Sequence, residues 1–205
     1  MMKRSLLAAA MTIGIGMPAD AASVVKSYSY FTISGKTLSE IEDQLSSRGP
    51  QVKSTGRRHP GATQMEFTSR IGYAEEAKGC RIVDPRVTVK AKLILPRWGQ
   101  RARADGDTRL IWDTLSADIK RHEESHVVIA KNHAAELESA LKGLYRFKTC
   151  PAAQAAAKVL SEKILAKHDR AQIQFDRIEG INFENRIIRL LRYRMERIDA
   201  GKIPG

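Results

Sequence analysis

His122-Glu123-Glu124-Ser125-His126 lies inside a helical pattern that runs from residue 108 to residue 147. On a helix, residues four apart share a face and sit about 6 Å apart along the axis. Two imidazoles at that spacing can reach one zinc ion, and the Glu after the first His can activate a water beside it. Trp112, Leu115, Ile119, His122, His126, Ile129, His133, Leu137 and Leu144 share one stripe of the pattern, so both histidines are expected to point inward. Glu123 falls about 100° round the helix from His122, where a base beside a metal would stand. The competing readings are two satisfied core histidines and a solvent-facing Glu123 near Lys120. Glu124 and Ser125 turn away from the stripe and read as surface residues.

Working outward, Cys150-Pro151 stops this helix, and a second helical pattern covers residues 152–198, with a bend or break near Gly180. Upstream the periodicity is that of strands. Residues 24–33 and 63–73 are rich in β-branched and aromatic side chains, and residues 81–95 alternate Val83, Val87, Val89, Ala91, Leu93 and Leu95 mostly with charged residues. Thr37-Leu38-Ser39-Glu40 is a capping box that starts a short helix, which Gly49-Pro50 ends. A basic loop follows over residues 53–61. Strands followed by long helices make an α+β class. The expected architecture is a small N-terminal sheet with one short helix, then two long antiparallel helices, the first carrying the motif.

The chain opens Met1-Met2-Lys3-Arg4, continues without charge to Met17, and closes this stretch with Ala19-Asp20-Ala21. That order of charged, apolar and A-x-A-like regions reads as a signal peptide over residues 1–21, leaving one domain over residues 22–205 in the periplasm or outside the cell. The two cysteines, Cys80 and Cys150, are then expected to pair, and closing a loop of that size would add roughly 4 kcal/mol on the chain-entropy model. The alternative is two free buried thiols. The formal charge is +12 over 205 residues, and residues 1–21 contribute a net +1 of it. For an exported chain this favours an anionic cell-envelope surface or acidic substrates as partners, with no nucleic acid expected. Solubility alone is the plainer explanation.

Beyond the motif, several stretches together resemble a family of bacterial predicted secreted zinc-dependent proteases, a domain-of-unknown-function family. The resemblance rests on Arg48-Gly49-Pro50, the loop Gly56-Arg57-Arg58-His59-Pro60-Gly61-Ala62-Thr63, Cys80, and Leu95-Pro96-Arg97-Trp98. It continues through Trp112, Ile119-Lys120-Arg121-His122-Glu123-Glu124-Ser125-His126, Cys150 and Phe175-Asp176-Arg177. This chain departs from the family pattern in reading Glu179-Gly180-Ile181-Asn182, where relatives carry a Thr and a His-Gly. The resemblance implies a zincin-like fold and export.

A catalytic zinc normally has three protein ligands and a water. His133 shares the stripe, but seven residues of helix separate it from His126 by about 10 Å and no Gly or Pro intervenes. It reads as packing. His59 lies in a distant loop. The third ligand is therefore expected from the second helical stretch, among Glu162, His168, Asp169, Asp176 and Glu179. A reversal near residue 149 with equal rise on both sides places the partner of His122 and His126 at residues 172–176. This favours Asp176, with His168 and Glu179 next.

The leading reading is a zinc endopeptidase acting on a peptide or protein substrate. His122, His126 and Asp176 would hold Zn2+, Glu123 would be the base, and the strand over residues 81–95 would serve as an edge that aligns the substrate. A zinc amidase acting on peptidoglycan keeps the metal and changes the substrate. A non-catalytic envelope-binding protein would instead use Arg186, Arg189, Arg192 and Arg197, which lie off the apolar side of the last helix. Substrate and oligomeric state are not encoded in any motif.

Overall fold

Three strands carry the molecule: β1 (Ser23–Ile33), β4 (Ala62–Glu76) and β5 (Gly79–Trp98) form one sheet in the order β1-β5-β4. The computed structural model of the chain describes residues 22–52 and 56–204; the expected signal peptide lies outside the described residues. β5 pairs antiparallel with β4 and parallel with β1, from Ser23 opposite Thr88 to Ile33 opposite Trp98. Val87, Val89, Ala91, Leu93 and Leu95 of β5 are buried, while Lys90 and Lys92 between them are exposed. The sheet is therefore covered on one face and open to water on the other. The expectation that residues 81–95 form an edge is overturned. β5 is the central strand, its buried residues lying beneath the helices that cover one face of the sheet. β4 and β1 are the edges.

The capping box forms as read: Thr37 accepts from the Glu40 backbone, Glu40 from the backbone of Lys36 and Thr37, and α1 spans Leu38–Arg48. Gly49 ends it for a steric reason. A Cβ there would meet the His59 carbonyl oxygen at 2.0 Å. The His59 backbone thus packs against the end of α1, donating to the Pro50 carbonyl at 3.0 Å. Within the expected loop, β3 (Arg57–Arg58) pairs with β2 (Gln51–Val52), which lies just before it.

α2 (Gly106–Gly143) is capped by Asp105, which accepts from both the backbone and the hydroxyl of Thr108. It presents two faces. Ile119, Glu123, Val127, Ala130, Ala134, Leu137 and Leu141 are buried, and the face they form packs on β5. His122, His126 and His133 lie about a quarter-turn away and meet α3 (Cys150–Ile181). The stripe read from sequence is thus the side of a broader buried arc, and small Ala130 and Ala134 let α2 approach the sheet closely.

α3 runs back antiparallel, as the pairs His122 with Asp176, His126 with Gln172, and Glu136 with Lys167 show. The second helical stretch breaks at Asn182, near Gly180 as expected. The Asn182 side-chain amide donates to the Ile178 carbonyl at 2.8 Å, and α4 (Phe183–Asp199) begins beyond it. Cys80 and Cys150 are joined by a disulfide with Cα atoms 5.0 Å apart. It ties the start of β5 to the first residue of α3. Among the described residues, no helix is long and apolar enough to cross a membrane.

Candidate metal centre

One turn of α2 sets the Nε2 atoms of His122 and His126 3.1 Å apart. α3 brings Asp176 Oδ1 to 3.2 Å from the first and 3.0 Å from the second. Three donor atoms converge on one point. Ligands of a tetrahedral zinc at 2.0–2.1 Å stand about 3.3 Å from one another, so the spacing and the chemistry of this donor set both suit such an ion. The Asp176 carboxylate has the two imidazoles as its partners, rather than a neighbouring arginine. Burial raises the Asp176 pKa, but the hydrogen bonds and charges of His122 and His126 outweigh that and hold it well below the usual carboxylate range.

A second layer orients the rings. His126 Nδ1–H donates to Gln172 Oε1 at 2.5 Å. Gln172 Nε2 donates to the His126 carbonyl at 3.1 Å and to His168 Nε2 at 2.7 Å, and His168 Nδ1–H donates to Asp169. This chain leaves the lone pair of His126 Nε2 facing the cluster, as a ligand requires. His122 Nδ1 lies 3.5 Å from Glu179 Oε2. The Phe175 ring lies 5.0 Å from both imidazoles, near-parallel to one and edge-on to the other. The two alternative third ligands are therefore placed one layer back. His168 packs against Phe67 and His133 and reaches the cluster only through Gln172, whereas Glu179 sits behind His122. His133 donates to the Ile129 carbonyl, one turn below.

Glu123 is 4% exposed, which overturns the solvent-facing alternative. It faces the start of β4. Thr63 Oγ1 lies 2.8 Å from Glu123 Oε2 and 3.1 Å from the Glu123 carbonyl oxygen. Burial pushes the Glu123 carboxyl up, partly countered by the Thr63 hydrogen bond and the two histidines. Gly61 is the closest wall. A Cβ there would stand 2.8 Å from Ile119 and 2.9 Å from Glu123 Oε1.

Two clefts, of about 280 and 190 Å³, meet at this point. Both are lined by His59, Gly61, His122, Glu123 and Asp176. One extends between Pro60, Ile119 and Phe183; the other runs past Val52, Ala62 and Met65 toward Gln172. His59 is thus brought to the site, contrary to the reading that left it in a distant loop. The Gly49 contact carries it there, and that contact depends on shape rather than on any local pattern. Thr63 and Gly61 lie within the loop stretch quoted for the resemblance, which held no sign of their pairing with Glu123. Gln172 stands one helical turn before Asp176, and only that spacing marked it.

The basic residues of α4 also differ from expectation. Arg186 turns inward, its side chain 11% exposed, to Asp118 and Glu179. Arg197 Nε is buried and, among the described residues, has no hydrogen-bond partner. Arg189 and Arg192 remain outside. Arg186 answers a buried carboxylate on α2, a demand invisible along α4 alone.

The molecule is an α+β protein whose two longest helices bring two histidines and an aspartate together beside a buried glutamate. Residues 28–184 match the family described as bacterial protein of unknown function (DUF922), and the chain belongs to that family. No curated protein and no solved structure matches it.

Proposed function

We propose that this protein is a zinc-dependent endopeptidase of the cell envelope, with a zincin-like arrangement built on α2. The observation that carries the reading is the convergence of His122 Nε2, His126 Nε2 and Asp176 Oδ1 within 3.0–3.2 Å of one another, beside the buried Glu123. These three atoms would hold the ion. Zinc bound there supplies Lewis acidity toward a water and toward a peptide carbonyl. Thr63 engages Oε2 of Glu123, so Oε1, beside Gly61, is the oxygen left to take a proton from the attacking water. As the C–N bond breaks, Glu123 returns that proton to the leaving amine. The start of β4 lines the cleft, and β4 is an edge strand, so an extended substrate can pair with its free side.

The test is metal analysis together with hydrolysis. Wild-type protein should carry one zinc per chain and cleave an unfolded protein, His122→Ala/His126→Ala should carry none, and Glu123→Gln should keep the zinc and lose cleavage. Equal zinc content in the wild type and the double variant would refute the metal assignment.

A further inference from the structure

α4 reaches the cluster through Arg186. Arg186 Nε donates to both oxygens of Asp118, at 3.1 and 3.2 Å, and its Nη1 to the Glu179 carbonyl at 3.1 Å. Its Nη2 lies 3.4 Å from Glu179 Oε2. Arg121 of α2 closes the ring, with Nε on Asp118 Oδ1 at 2.8 Å and Nη2 on Glu179 Oε2. Two guanidiniums and two carboxylates are thus interlocked, and the Asp118 side chain is 3% exposed. Glu179 Oε2, held by both arginines, is also the atom that faces His122 Nδ1 at 3.5 Å. The family match stops at residue 184, so Arg186 comes from outside the matched segment, whereas Asp118, Arg121, His122 and Glu179 lie within it.

An imidazole that binds an ion through Nε2 keeps its proton on Nδ1, and the acceptor there sets ring angle and basicity. Glu179 is that acceptor. It lies about one turn beyond Asp176 on the same helix. Pairing with two arginines holds it behind the ring. The position of Glu179 therefore depends on α4 being docked against α2. A second anchor of α4 provides the contrast: Arg194 reaches Asp113 at 3.0 Å, and neither residue touches the cluster.

We infer that Arg186 is a positioning residue. It holds Glu179 against His122, so that docking of α4 and metal affinity are coupled. This rests on reading His122, His126 and Asp176 as the zinc ligands. Coupling of two equilibria is reciprocal, so zinc must also tighten α4 onto α2.

The experiment measures the zinc dissociation constant by chelator competition for wild type, Arg186→Gln, Arg186→Lys, Glu179→Gln and Arg194→Gln, with folding checked by circular dichroism. Loss of a partner behind a ligating histidine weakens metal binding roughly 10- to 100-fold, the effect expected for Arg186→Gln and Glu179→Gln. Arg194→Gln, which loosens α4 without touching Glu179, should weaken binding less than Arg186→Gln does. Arg186→Lys should fall between, since an ammonium cannot span two carboxylates. Hydrogen exchange supplies the reciprocal arm: zinc should slow amide exchange across residues 183–199 in wild type but not in Arg186→Gln. If Arg186→Gln fails to fold, Glu179→Gln, which keeps the shape of the side chain, decides. Wild-type affinity in Glu179→Gln, or equal weakening in Arg194→Gln, overturns the inference while leaving the zinc reading intact. A wild type that binds no zinc removes both.

Discussion

Along α2, residues 127–141 bury Val127, Ala130, Ala134, Leu137 and Leu141 against β5 and α3, with the disulfide at that end of the molecule. Residues 112–123 bury Trp112 and Ile119, but also Thr114, Asp118 and Glu123. Residues 127–141 do contain one buried charge. Glu138 accepts from the Val87 backbone at 3.0 Å and from Lys142 at 2.8 Å, and lines neither of the two clefts. In residues 112–123 Asp118 is matched by arginines, whereas Glu123 has one oxygen toward Thr63 and the other at the cleft wall. One end of a single helix secures the fold, and the other holds carboxylates at the walls of the clefts. Mutations in the two halves should then separate stability from chemistry.

The largest effect belongs to the cleft end. Glu123→Gln should lower the rate of protein hydrolysis by roughly 10²- to 10⁴-fold, the usual contribution of a positioned base, while the melting temperature changes little. Unchanged turnover would break the comparison at its functional end. Next is the disulfide. Cys80→Ser/Cys150→Ser should lose about 2–5 kcal/mol in denaturant unfolding, with zinc affinity of the folded protein unaltered. A loss of zinc before unfolding would mean that the two ends are not independent.

Glu138 sharpens the contrast through pH. Burial alone would raise its pKa, but the Lys142 hydrogen bond and the Val87 N–H outweigh it, and the value is lowered. A lowered carboxylate contributes stability above the unfolded pKa of about 4.3 and loses it as pH falls through the folded value. Glu138→Gln should therefore cost roughly 1–3 kcal/mol at neutral pH, and the gap to wild type should close in acid. A gap that does not begin to narrow as pH falls below the unfolded pKa of about 4.3 would contradict this account. The smallest effect is expected from Thr63→Val. It removes the hydrogen bond that opposes burial at Glu123, so the acid limb of the activity profile should move to higher pH, with about 1 kcal/mol lost in stability. A shift to lower pH would show that Thr63 does not act on this carboxylate.

Several features were legible along the chain because they depend on local geometry. Helix rise is constant, so a reversal at Cys150-Pro151 brings residue 176 back to residues 122 and 126, and Asp176 stands there. The capping box of α1 and the Cys80–Cys150 pair also follow from short spacing or from counting. The break near Gly180 falls at Asn182, whose side chain makes the capping contact.

The sequence by itself determined the class of fold, the helix that carries the histidines and the segment that answers them, since periodicity and rise are properties of a chain taken a few residues at a time. Tertiary structure decided which strand is central, which side of α2 lies on the sheet, and that His59, Gly61, Thr63 and Arg186 stand at the cleft or behind it. Each of those depends on shape and charge matching between segments distant in the chain: a glycine where a carbonyl must pass, a hydroxyl opposite a buried carboxylate, a guanidinium between two acids. Such matches leave no period in the sequence, because neither partner needs a neighbour of its own kind.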